Sequence, residues 1–218
     1  MSFQEFPKIP RLKKSMVVTE KIDGSNAQVF VIKKADHPDN SGFDLPAIVW
    51  EDDEFAIWAG SRNRWLQPGK NTDNFGFAGW VREKGEQLTR LGPGRHFGEW
   101  WGQGIQRGYG QKVRHFSLFA VHRWYSEQNQ LAGAYVADEN GLTLERLPPS
   151  PPACCRVVPV LYSGPFSSKA IDDVMASLAL ESYAVPGFPD AEGVIVYHEA
   201  AKQYFKHLFD PTPKSAKS

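Results

Sequence analysis

The chain has 218 residues, 25 acidic and 25 basic, with a formal net charge of zero and 41% hydrophobic residues. That length suffices to bury a sizeable core, and the charge balance excludes a protein that holds a polyanion by bulk electrostatics alone. The opening MSFQEFPKIPRLKK lacks the apolar run of a secretory signal, and no later run approaches the roughly 18 residues of a membrane helix, so an intracellular, cytoplasmic protein is expected. Strands are predicted, in chain order, at 16–20, 27–33, 54–60, 115–121, 192–198 and 202–208, where β-branched and aromatic residues cluster between turn signals. Helical spacing marks Phe77, Trp80, Val81, Lys84, Leu88 and Leu91, and again Ile171, Val174, Met175 and Leu178. Many strands with few helices predict an α+β domain built on antiparallel sheets. A single domain is expected over 1–210, with the Pro-rich run at 147–152 as a loop inside it and a polar tail at 211–218. The adjacent Cys154 and Cys155 are too constrained for an ordinary bridge and too few for a structural zinc site, and are expected to be reduced thiols.

Between the first two predicted strands lies Glu20-Lys21-Ile22-Asp23-Gly24-Ser25-Asn26, which places Lys21 in a turn. A lysine before an Asp-Gly turn is, by itself, as often a plain surface residue as a nucleophile. Further elements follow in order: Gly60-Ser61-Arg62-Asn63-Arg64, Phe97-Gly98-Glu99-Trp100-Trp101-Gly102 with Gly104-Ile105-Gln106, Phe116-Ser117-Leu118-Phe119, Ala191-Glu192-Gly193-Val194-Ile195-Val196, and Tyr204-Phe205-Lys206. A planar guanidinium such as that of Arg62 or Arg64 suits phosphate, and an acid in an aromatic setting, as at Glu99, needs a polar partner. His115, His122 and His198 share no metal-ligand spacing and are expected to be structural.

The first stretch resembles the nucleotidyl-lysine motif of DNA ligases, RNA ligases and messenger-RNA capping enzymes. Its longer form, Glu-Lys-x-x-Gly-x-Asn, is similar to that of RNA ligases of the phage T4 RNA ligase 2 type. The resemblance runs from about Val17 to Lys206. It implies a nucleotidyltransferase domain, an ATP-grasp-like ligase adenylylation fold with antiparallel sheets around an ATP cleft. It also implies an ATP-dependent polynucleotide ligase, RNA before DNA, that seals 5′-phosphate and 3′-hydroxyl ends through a lysyl-AMP intermediate, as in RNA repair. A DNA ligase, a capping-type enzyme and a non-catalytic end-binding protein are the alternatives.

By the same resemblance Lys21 is the nucleophile, and Glu20, Asn26, Arg62, Glu99, Phe119, Glu192, Lys202 and Lys206 line the ATP site. Asp23, Glu99 and Glu192 are the carboxylates expected around Mg2+ or Mn2+. A free lysine, at about 10.4, is protonated at neutral pH, so a nearby cation must favour the neutral amine. For Phe119 the two-residue period leaves a core role open, with Phe116 as the rival ring. The family's paired lysines appear here with lysine only in the second place, at Lys206. Lys202 is expected on the same strand face, so which of the two meets the α-phosphate stays open. A monomer is expected, with strand binding weak enough to be helped by an accessory nucleic-acid-binding partner, because only twelve residues follow Lys206.

Overall fold

Alternate burial along Ser15–Glu20 and a near-continuous apolar run along Ser25–Lys33 make these the first two strands, β1 and β2. The computed structural model describes residues 3–36, 46–124, 126, 135–138, 141–144 and 149–209. The remaining strands are β3 Trp50–Glu51, β4 Phe55–Ser61, β5 Trp65–Leu66, β6 Gly94–Gly102, β7 Arg114–Leu118, β8 Tyr135–Asp138, β9 Gly141–Leu144, β10 Cys155–Val157, β11 Val160–Pro165, β12 Gly193–His198 and β13 Gln203–Leu208. The helices are α1, Phe77–Leu88, and α2, Ser168–Leu178. None of the helices among the described residues is long and apolar enough to cross a membrane. The boundary expected at 210 and the tail at 211–218 lie outside the described residues, as do 147–148 of the Pro-rich run.

A four-stranded antiparallel sheet runs β11-β1-β12-β13, and a seven-stranded sheet runs β10-β7-β6-β2-β4-β3 with β5 added to β4. The expected antiparallel architecture holds with one exception, since β10 pairs with β7 in parallel. Each sheet has a helix on one face. Phe77, Val81 and Leu88 of α1 pack with Val29, Val31, Ile57, Trp100 and Phe116, and each fully buried side chain of this size contributes about 1.5–3 kcal/mol. Met175 and Leu178 of α2 pack on Met16, Val18, Val194 and Val196.

The helix starts are chemically marked. Asp73 accepts the N–H groups of Ala78 and Gly79 at 2.7 and 2.9 Å at the first turn of α1, and Ser167 accepts that of Ala170 at 3.2 Å before α2. With the helices on their outer faces, the two sheets leave their opposite faces for a cleft. Val17, Thr19 and Ile195 on the four-stranded sheet and Asn26, Gln28, Phe97 and Glu99 on the seven-stranded sheet belong to those faces by register.

Candidate active site

β1 leaves the four-stranded sheet at Glu20 and β2 enters the seven-stranded sheet at Ser25, so Lys21–Gly24 is the crossing between sheets. The Lys21 N–H donates to Gly193 O at 2.8 Å, which fixes the crossing against the start of β12. At its far end the Lys21 Nζ donates to Glu192 Oε2 at 2.5 Å, the lysine 26% exposed and the glutamate 9%. Two glycines permit this approach. A Cβ at Gly24 would lie 2.5 Å from Trp100 O and 3.0 Å from Glu99 Cγ, so the motif glycine is required by contact with β6. Gly193 has φ 146°, and a Cβ there would run into His207 O on β13.

Glu99 reaches the same place from β6. Its Cα pairs with Asn26 on β2 and Ser117 on β7, so these side chains share the cleft face. Burial pushes its carboxyl up to about 7, with the charges of Glu192 and Asp23 adding to the rise and Lys21 and the Gly24 N–H opposing it. Acids from three segments therefore surround one lysine.

Asp23, expected as a third metal carboxylate, accepts a hydrogen bond at Oδ2 from Arg107 Nη1 at 2.9 Å. Among the described residues no three His, Cys, Asp or Glu side chains gather closely enough to hold a metal ion, so the expected trio does not form a ready-made cage. The Glu20 side chain is bonded inside the protein. Its oxygens accept Ser182 Oγ at 2.6 Å and the Ala184 N–H at 2.8 Å, which anchor the loop at 182–184, and burial raises its carboxyl despite those bonds. The alternation of β1 puts Glu20 on the buried face, opposite to Thr19.

The two candidate aromatic residues differ in burial. Phe116 is fully buried against Phe77 and Trp80 beneath α1 and cannot meet a base. β7 ends at Leu118, earlier than the strand predicted to 121, and Phe119 continues the pairing only through its N–H to Phe97 O at 3.0 Å. Its ring is 39% exposed, and Phe97 beside it is 46% exposed.

The basic residues also separate. Arg64 donates to Thr72 O and Asp73 O at 3.3 and 3.1 Å and so braces its own loop, whereas Arg62 is exposed at the end of β4. Lys206 lies on β13 opposite Ile195, which lies opposite Thr19, so it shares the face that leads to Lys21. Lys202 lies outside the strand. It precedes β13 in a tight turn with φ 51°, and the two-residue period that was to align it with Lys206 does not extend through a left-handed residue.

His115 and His198 have structural partners. His115 donates to Gln111 Oε1 at 3.1 Å, and burial, with Arg156, depresses its imidazole to about 4; His198 donates from Nε2 to Leu12 O at 2.9 Å. Cys154 and Cys155 are free thiols.

A lysine thus stands where the chain crosses between two sheets, faced by acids from both. The chain belongs to the RNA ligase family, whose model matches residues 14–209. No curated protein matches it significantly. Among solved structures it is similar to a lysine-to-alanine mutant of Naegleria gruberi RNA ligase with ATP and Mn, at 20% identity and TM-score 0.50, over 90% of this chain and 50% of that one. It is also similar to the Naegleria gruberi RNA ligase with PPi, at 21% identity and TM-score 0.48 over the same shares. At this identity the first likeness establishes the fold, and the chain spans about half the length of those ligase chains.

Proposed function

We propose that this chain carries out the nucleotidyl transfer of an ATP-dependent RNA ligase, with Lys21 as the nucleophile. The observation that carries the reading is the Lys21–Glu192 contact at 2.5 Å with Glu99 beside it, where the chain crosses from one sheet to the other. The neutral amine of Lys21 attacks the α-phosphorus of ATP; an N–P bond forms as the P–O bond to pyrophosphate breaks. A 5′-phosphate oxygen of the RNA then attacks the same phosphorus, and the N–P bond breaks to return the amine. Attack of a 3′-hydroxyl on the activated 5′-phosphate closes the strand and releases AMP.

In this reading the partly exposed Phe119 ring stacks on the base, with Asn26 and Glu99 toward the ribose. Arg62 and Lys206 supply charge for the phosphates. Glu99 and Glu192 are hard oxygen donors with more negative charge than Lys21 alone neutralises, which fits a divalent cation that arrives with the triphosphate and keeps part of its water shell. Held there, Mg2+ or Mn2+ would spread the charge on the phosphate oxygens and favour the neutral amine. With acidic and basic residues balanced, the strand ends rely on local charge, so an accessory nucleic-acid-binding partner is expected to speed sealing more than labelling.

The test is incubation with α-labelled ATP or GTP and a divalent cation, followed by denaturation and mapping of the label. Acid-labile label from ATP on Lys21, passed on to a 5′-phosphorylated RNA, is the expected result. A chain that takes no label, takes it only from GTP, or passes it only to DNA contradicts the reading.

A further inference from the structure

The connection between β6 and β7 carries Arg107 and Tyr109, which nothing in the local sequence marks as belonging to the site. The Arg107 guanidinium uses two of its edges. Its Nη1 donates to Asp23 Oδ2 at 2.9 Å and its Nε to Asp190 Oδ2 at 3.1 Å. Asp23 lies two residues after Lys21, and Asp190 two residues before Glu192. One side chain thus ties together the two segments whose own side chains meet as the Lys21–Glu192 pair. Tyr109 adds a second fixing point, since its hydroxyl accepts the Asp23 N–H at 2.9 Å. That hydroxyl is itself well placed, because the ring is 1% exposed and packs on Trp101 at 5.2 Å and Phe188 at 4.7 Å between centroids.

The bonds differ in setting. Asp23 is 7% exposed and Asp190 is 68% exposed, so the guanidinium has a buried grip on the nucleophile loop and a surface grip on the segment before β12. Burial works against the charge of Arg107, yet the two aspartates hold its guanidinium above the ordinary range. The crossing Lys21–Gly24 belongs to neither sheet ladder, so its position depends on such bonds.

We propose that Arg107 and Tyr109 are positioning residues for Lys21, bracing the nucleophile loop against the segment that carries Glu192. The inference rests on the lysyl-nucleotide reading above. Neither residue needs to touch the nucleotide. Losing the brace moves the amine relative to the α-phosphorus, so it slows attack without weakening ATP binding, and a misplacement of about 1 Å costs on the order of a hundredfold. A lysine in place of Arg107 restores only part of the rate, because an ammonium has no planar fork to span two carboxylates in fixed geometry.

The experiment is single-turnover labelling of the full chain with α-labelled ATP, reading the rate constant, the amplitude and the ATP concentration for half-maximal rate. The variants are Arg107→Ala, Arg107→Lys, Asp190→Ala and Tyr109→Phe. Arg107→Ala should lower the rate constant on the order of a hundredfold while half-saturation stays within about threefold. Arg107→Lys should fall between it and the wild type, and Asp190→Ala and Tyr109→Phe should each slow labelling several-fold. A folding defect alone would reduce the amplitude and leave the rate constant of the folded fraction intact. Wild-type rate constants in Arg107→Ala overturn the inference. If that variant does not fold, wild-type rate constants in both Asp190→Ala and Tyr109→Phe overturn it. A wild-type chain that takes no label overturns the lysyl-nucleotide reading itself, and the inference with it.

Discussion

Glu192 Oε2 lies 2.5 Å from Lys21 Nζ although the two residues are 171 positions apart in the chain. In the proposed nucleotidyl transfer the two have different tasks. Lys21→Ala and Lys21→Arg should both abolish covalent labelling by ATP, the second because a guanidinium stays charged and cannot act as the nucleophile. Glu192→Ala should leave ATP binding measurable but slow labelling more than about a hundredfold, as lost charge stabilisation at the reacting phosphate would. Label retained by either lysine variant, or a normal rate in Glu192→Ala, would remove these residues from their roles.

Phe116 and Phe119 stand three residues apart, and truncating them should damage different properties. Phe116→Ala empties a fully buried position beneath α1 and should cost about 3–5 kcal/mol, seen as a lowered melting temperature. Phe119→Ala should change stability by no more than about 1 kcal/mol, because its ring is already partly in solvent. Its effect should instead be a raised ATP concentration for half-maximal labelling. Equal ATP dependence in the wild type and Phe119→Ala would argue that no base stacks there.

The two lysines near β13 make a similar contrast. Lys206 shares the cleft face with Ile195 and Thr19, whereas Lys202 sits in a left-handed turn before the strand. Lys206→Ala should therefore slow labelling, and Lys202→Ala should not. Lys202→Gly, which suits the positive φ, should keep both stability and labelling. A loss of labelling in Lys202→Gly equal to that in Lys206→Ala would restore Lys202 to the site.

Glu99 predicts a pH dependence of folding in metal-free, nucleotide-free buffer. Its carboxyl is raised from 4.5 to about 7 in the folded chain. Below 4.5 both states hold the proton and the group has no effect. Between 4.5 and about 7 the unfolded chain releases its proton while the folded one keeps it, so rising pH favours unfolding, and above 7 the loss is complete. Glu99→Gln should flatten this part of the stability–pH curve relative to the wild type. Parallel urea-denaturation midpoints for the two proteins across that window would show that Glu99 does not carry the effect.

Much of this site was legible in the sequence because the motif residues lie at the ends of strongly patterned strands. β1, β2 and β12 announce themselves through β-branched residues, and both helices through apolar spacing. β6 does not, although it carries Glu99. Its run GRHFGEWWG mixes glycines with charge, and the reason is visible only in three dimensions: a Cβ at Gly98 would strike Ser117 O and the Phe116 ring. The parallel pairing of β10 with β7 has no local signal either, since three residues suffice for it. β13 starts one residue later than its sequence pattern suggests, because Lys202 takes a left-handed turn. Arg107 escaped notice because its meaning lies in Asp23, 84 residues away.

The position of β1 in the middle of the four-stranded sheet has a consequence for how the protein is made. Both of its neighbours, β11 and β12, follow every strand of the seven-stranded sheet in the chain, so β1 finds its partners only after that sheet has been synthesised. Such long sequence separations are slow to close. A nascent chain that stalls before residue 192 holds Lys21 without Glu192 or β12, so on the proposed reading it takes no label until those residues follow.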